Sequence, residues 1–267
     1  MNEWEWQLLE EKAPAETVLV SGKEVKKGDR VRLRPRAGGD IFDLALAGQT
    51  ALIESIEQDY EGKLHLAVVL DEDPGKDLGM LRQPGHRFFF SAEEVEPLPC
   101  ILVAGIGNIF LGDDGFGVEV IRRLSSREFP AEVRVEDFGI RGYDFAYALL
   151  DGPDVTILVD AAGRGGTPGT IYVIEPDVTG HSAMDAHAMN PVSVLQLARS
   201  MGPVRGRVVL VGCEPQTLGG DEGHMGLSEA VFSAVDQAAR LVYDLIQKLL
   251  RGDKLEEALE NSGKGTI

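Results

Sequence analysis

The segment GIGNIFLGDDGFG, from Gly105 to Gly117, sets two adjacent acids among closely spaced glycines. Such glycines invite comparison with a phosphate cradle. The third glycine of a dinucleotide fingerprint would fall at Phe110, however, and no Gly-Lys-Ser/Thr is present. Two carboxylates at a helix start would oppose a phosphate and favour a cation, because the positive end of the helix dipole keeps them ionised and their oxygens ligate divalent metals. Asp113 is assigned to the helix N-cap, where an aspartate satisfies a free backbone N–H at a gain of roughly 1 kcal/mol. Asp114 is then left over as the ligand candidate, and Gly115 and Gly117 allow other backbone or a ligand to approach.

Asp160 stands at the end of the apolar run Val155–Val159, where a parallel strand would deliver it to the same sheet edge; the plainer reading is a turn aspartate before Ala161-Ala162-Gly163. His187 lies in the loop DAHAMNP leading into a helix, and its plainer reading is a solvated loop histidine, with His181 and His224 as competitors. Asp114, Asp160 and His187 together make a three-ligand site with open positions, the way catalytic rather than structural metals are held. Other residues carry less chemistry. Asp71–Asp77 misses a calcium loop, its glycine being one place early and Arg82 standing where a bidentate Glu is needed, so an acidic turn is expected. Cys100 and Cys213 fall in apolar runs and read as buried, inert thiols, while Ser228 reads as the N-cap of the last helix. Of Phe88, Phe89 and Phe90, at least one must face outward from a strand.

The elements that must position these residues fall into two textures. Residues 1–97 read as short strands at ETVLVSG, 29–35, 50–60, 64–71 and 86–91, with GKEVKKGD among the turns; a small all-β domain, an SH3-like barrel, is expected. EVEPLP, with two prolines, marks the boundary. From Cys100 apolar strands alternate with helices: strands at 100–105, 132–138, 155–161, 170–176 and GRVVLVGCEP, helices at 115–127, 143–150, NPVSVLQLARSMG and 228–250. This alternation predicts an α/β fold, a three-layer α/β/α sandwich with a mostly parallel sheet over 98–251, whose ligands collect at strand ends. Residues 252–267 offer little to bury and are expected to fray. At 43% hydrophobic residues the chain can build a core, and its net charge of −18 argues against nucleic acid and anionic membrane surfaces as partners. Two cysteines exclude a disulfide framework, and the chain shows neither a signal-peptide pattern nor 18 consecutive apolar residues, so a soluble, cytoplasmic protein is expected.

The residues over roughly Ile101–Leu250 resemble the nickel–iron hydrogenase maturation proteases. The resemblance rests on GIGNIFLGDDGFG, ILVDAAGRGGTPGTI, DAHAMNP and GCEPQTLGGDEGHMGLSEAV, in that order. It implies a hydrolase, an endopeptidase that removes the C-terminal extension of the hydrogenase large-subunit precursor once nickel is in place. It also puts Asp114, Asp160 and His187 on the family's metal-binding and catalytic positions, with Gly105, Gly107, Asn108, Asp113, Gly115 and Gly117 as supporting motif. The cofactor implied is nickel carried by the substrate, whose place another divalent metal could take in a structure. No HExxH occurs, so a zincin mechanism cannot be drawn. His187 stays open between ligand and general acid/base. Two rival readings stay open as well: a non-catalytic chaperone that binds the nickel precursor, and a nucleotide-binding enzyme using the glycine loop. The resemblance does not reach residues 1–97, for which contact with the precursor or a maturation partner is expected, because exposed strand edges can add a partner strand.

Overall fold

A computed structural model describes residues 15–36, 45–176, 191–219 and 223–260. The chain divides into two compact units, Met1–Leu98 and Pro99–Ile267.

The first unit opens with an antiparallel hairpin, β1 (Thr17–Val20) and β2 (Lys23–Lys26). The turn expected over GKEVKKGD is therefore half strand. Ser21 and Gly22, both at positive φ, close the hairpin in two residues, and Val25 pairs with Val18 and turns into the core. The remaining strands, β3 (Arg30–Leu33), β4 (Thr50–Gln58), β5 (Leu64–Leu70), β6 (Phe88–Ser91) and β7 (Val95–Pro97), form an antiparallel sheet in the order β6-β5-β4-β3-β7. β7 lies within the segment read as a linker. It is an edge strand, where a proline's missing N–H leaves no ladder bond unmade. The acidic turn at 71–77 runs into a short helix, α1 (Lys76–Met80). Val31, Ile53, Leu66, Val68 and Phe90 form the core. Phe89 faces outward at 51% exposure, with the Arg87 guanidinium 4.8 Å from its ring centre.

In the second unit, β8 (Ile101–Ile106) leads through a 3₁₀ turn (Gly112–Gly115) into α2 (Phe116–Leu124). There follow β9 (Val133–Gly139), α3 (Gly142–Leu150), β10 (Val155–Ala161), β11 (Ile171–Ile174), α4 (Pro191–Met201), β12 (Arg207–Cys213), α5 (Glu229–Arg251) and α6 (Leu255–Glu260). The sheet order is β11-β12-β10-β8-β9, parallel except for β11 at one edge. Successive β8 side chains go to opposite faces, as strand geometry requires. Ile101 and Val103 join α2 and α5 in one core, and Leu102 and Ala104 join α3 and α4 in the other. Helices thus cover both faces, and continuous apolar strands such as Val155–Val159 are the consequence. The chain passes from β8 to β9 on one side and returns to β10 on the other. The strand order therefore reverses between β8 and β10, the place where open α/β sheets collect ligands beyond their carboxyl ends.

Two expectations are corrected here. Residues 252–267 are not frayed throughout: Gly252, in the left-handed region, ends α5, and α6 returns Leu255 and Ala258 to the core beside that helix. Two apolar residues three apart are too few to show as a periodicity. Cys100 is exposed, because it precedes β8 and stands outside the covered sheet. Cys213 is buried, and burial first, with the charges of Asp113 and Glu214, pushes its thiol up to about 12. Among the described residues no helix is long and apolar enough to cross a membrane.

Candidate functional site

The apolar run of β8 ends at Gly107, whose φ of +131° is closed to most side chains. A Cβ there would lie 1.7 Å from the carbonyl oxygen of Asp114, so this glycine is what lets the loop fold back on the acid pair. Asn108 shapes the loop: its side-chain oxygen accepts from Phe110 N at 3.0 Å and its carbonyl from Leu111 N at 3.0 Å. The Asn108 N–H donates to Asp114 Oδ2 at 2.6 Å, which orients that carboxyl. Gly117 brings α2 onto the strand ends, since a Cβ there would stand 2.2 Å from Val159 O and 2.3 Å from Ile106 O. Gly105 and Gly115 serve similar approaches, to Ile121 and Ile109 respectively.

Asp113 does not cap α2. The 3₁₀ turn displaces the helix start to Gly115, which makes no side-chain cap, and the Asp113 carboxyl turns the other way into the protein. It is fully buried and accepts from Gln216 N (2.8 Å), Thr217 N (3.0 Å), Ser228 N (2.6 Å) and Ser228 Oγ (3.0 Å). One carboxylate thus binds the glycine loop, the segment after β12 and the start of α5 into a single body. Ser228 caps α5 as expected, accepting from Val231 N at 3.4 Å.

Asp114 is half-buried on the same turn, which packs against β10. Asp160 arrives at the end of β10, is 6% exposed, and has Ala161 N donating to its Oδ1 at 2.8 Å. Burial raises the Asp114 pKa above the ordinary carboxylate range against the opposing Asn108 bond. Burial, and then the charge of Asp114, raises that of Asp160 well above it, with the Ala161 bond opposing. Two acids from separate strand ends therefore share one partly desolvated place, where like charges resist joint ionisation. A divalent cation between them would reverse that resistance, since carboxylate oxygens are ready ligands. His187 and His181 lie outside the described residues. Among the described residues no three His, Cys, Asp or Glu side chains converge to hold a metal. His224 is exposed. Its backbone pairs with the glycine loop, with His224 N donating to Phe110 O (2.9 Å) and Gly112 N donating to His224 O (2.6 Å).

Glu214 escaped the reading by residue type. Just beyond β12, it is 5% exposed and accepts from Arg164 N (2.8 Å), Gly165 N (3.0 Å) and Tyr172 Oη (2.8 Å). Burial pushes its pKa up, but those bonds more than offset this and hold it below the usual range. Glu214 thereby folds the loop after Asp160. The available signal was an acid closing an apolar strand, the same one that singled out Asp160.

Residues 118–245 match the family model described as hydrogenase maturation protease. The chain is 35% identical over 154 residues to a putative hydrogenase maturation protease of Methanocaldococcus jannaschii, covering 55% of this chain and 97% of that one. It is 34% identical over 123 residues to the hydrogenase expression/formation protein HupD of Rhodobacter capsulatus, covering 44% of this chain and 58% of the relative. Among solved structures, the hydrogenase 2 maturation peptidase of Thaumarchaeota archaeon SCGC_AB-539-E09 is 34% identical, with a TM-score of 0.43 over 55% of this chain and 97% of that one.

Proposed function

Since the chain belongs to the hydrogenase maturation protease family, we propose that it is the endopeptidase that removes the C-terminal extension of a nickel-loaded nickel–iron hydrogenase large-subunit precursor. The observation that carries this reading is the pairing of Asp114 and Asp160 at the strand-order reversal, two carboxyls from separate segments in one partly desolvated place. The nickel is part of the substrate. Asp114 and Asp160 supply oxygen donors to it and His187 the third, an imidazole nitrogen. Engagement of the substrate's metal holds the scissile peptide in one position, which lowers the entropic part of the barrier. Water then adds to the peptide carbonyl carbon, the C–N bond breaks, and a proton passes to the leaving amine.

Incubation of the purified chain with nickel-loaded precursor should shorten the precursor, as read by intact mass. A stable complex with the precursor at full length would favour the chaperone reading instead. Replacing His187 by Ala is expected to remove both metal-dependent docking and cutting; cleavage that continues without nickel discrimination would show His187 to be no ligand. For the first unit we propose an SH3-like barrel that contacts the precursor or a maturation partner, a role its edge strands β6 and β7 support. We place the reaction in the cytoplasm, where thiols such as those of Cys100 and Cys213 stay reduced.

A further inference from the structure

Three segments joined by backbone contacts beside the turn that carries Asp114 each expose a large apolar side chain. Phe110 is 57% exposed, Leu218 47% and Met225 69%. Backbone contacts bring the segments side by side. His224 N donates to Phe110 O, Gly112 N to His224 O and Asp113 N to Thr217 O at 3.0 Å, while a Cβ on Gly219 would stand 3.1 Å from Leu111 Cα. The Asp113 carboxyl holds the same segments from beneath through Gln216, Thr217 and Ser228. This ledge is therefore preorganised and continuous with the turn that carries Asp114.

Its charge is as informative as its apolarity. In a chain with 70 charged residues and a net charge of −18, residues 105–112, 215–219 and 223–228 contain none of Asp, Glu, Lys or Arg. Asp221 and Glu222 fall between the last two segments, outside the described residues. An apolar patch continuous with the turn that carries Asp114 matches an apolar stretch of polypeptide. Building on the proposed activity, we infer that Phe110, Leu218 and Met225 dock an uncharged, apolar stretch of the hydrogenase precursor lying next to the scissile bond.

The test uses the full chain, nickel-loaded precursor and the triple variant Phe110→Ser/Leu218→Ser/Met225→Ser. KM should rise about tenfold or more, equivalent to loss of a few apolar contacts, while the single-turnover rate at saturating precursor stays within about twofold. Tyr147→Ser, at an exposed site on α3, should leave both unchanged. If the triple variant does not fold, Met225→Gln alone should raise KM about threefold. An unchanged KM overturns the ledge. So does sedimentation in which the wild type is a dimer and the triple variant a monomer, since a second copy would then be the occupant. Should the wild type leave the precursor whole, the protease reading fails; calorimetric binding of precursor by wild type and variant then decides the ledge, equal affinities overturning it.

Discussion

At the scale of single residues, the adjacent acids Asp113 and Asp114 divide their work by orientation. Asp113 is buried with four hydrogen bonds to two other segments, and replacing it by Ala leaves three backbone N–H groups and a hydroxyl without their acceptor. Asp113→Ala should lower stability by about 3 kcal/mol, measured by urea unfolding, and Asp113→Asn by less because one oxygen remains. Asp160 is the opposite case. Burial and the charge of Asp114 raise its folded-state pKa above the unfolded value. The folded state thus binds the proton more tightly, and the associated stability is present at low pH and lost as pH rises through the folded pKa. Asp160→Asn should therefore be more stable than the wild type in metal-free buffer at neutral pH, by urea midpoint, while precursor cleavage is abolished. A wild-type midpoint equal to or above the variant's would show that Asp160 is not strained by its surroundings. The residue types were legible in the sequence, as was the separation of Asp114 from Asp113. The capping role given to Asp113 was not correct, because a 3₁₀ turn ahead of α2 rotates its carboxyl away and no spacing rule foretells that turn.

At the scale of elements, the site depends on how closely α2 approaches the ends of β8 and β10. Gly117 permits contact with Val159 O and Ile106 O, both backbone atoms that cannot step aside. Gly117→Ala should cost about 1–3 kcal/mol by overpacking, and precursor cleavage should fall more than stability does, since the helix is displaced at the end bearing Asp114. Comparison of thermal midpoint with cleavage rate checks this. The C-terminal helix α6 gives a second prediction. Truncation after Gly252 removes the buried Leu255 and Ala258 from the core along α5, and should lower stability by about 2 kcal/mol in urea unfolding. No loss would return the tail to the frayed state expected from its composition. The long amphipathic α5 and the parallel strands were plain in their periodicity. β2, β7 and α6 were not, because each is short and carries one or two inward residues.

At the scale of the whole molecule, the two units have separate cores: Val31, Ile53, Leu66 and Phe90 in the first, and the two layers about the parallel sheet in the second. A chain beginning at Pro99 should therefore keep cooperative unfolding and its far-ultraviolet dichroism per residue, the comparison being the full chain under the same buffer. A gradual, non-cooperative transition would show that the second unit depends on the first. The sequence by itself determined the alternating α/β order, the two textures, and an acid at each of two strand ends, because apolar periodicity and residue chemistry are local properties. Only the tertiary structure decided that β8 and β10 are neighbours, that Asp114 and Asp160 consequently share one desolvated place, and that Asp113 and Glu214 tie distant loops around it. Burial and like-charge proximity arise from residues far apart in the chain, and folding alone brings them within reach of one another.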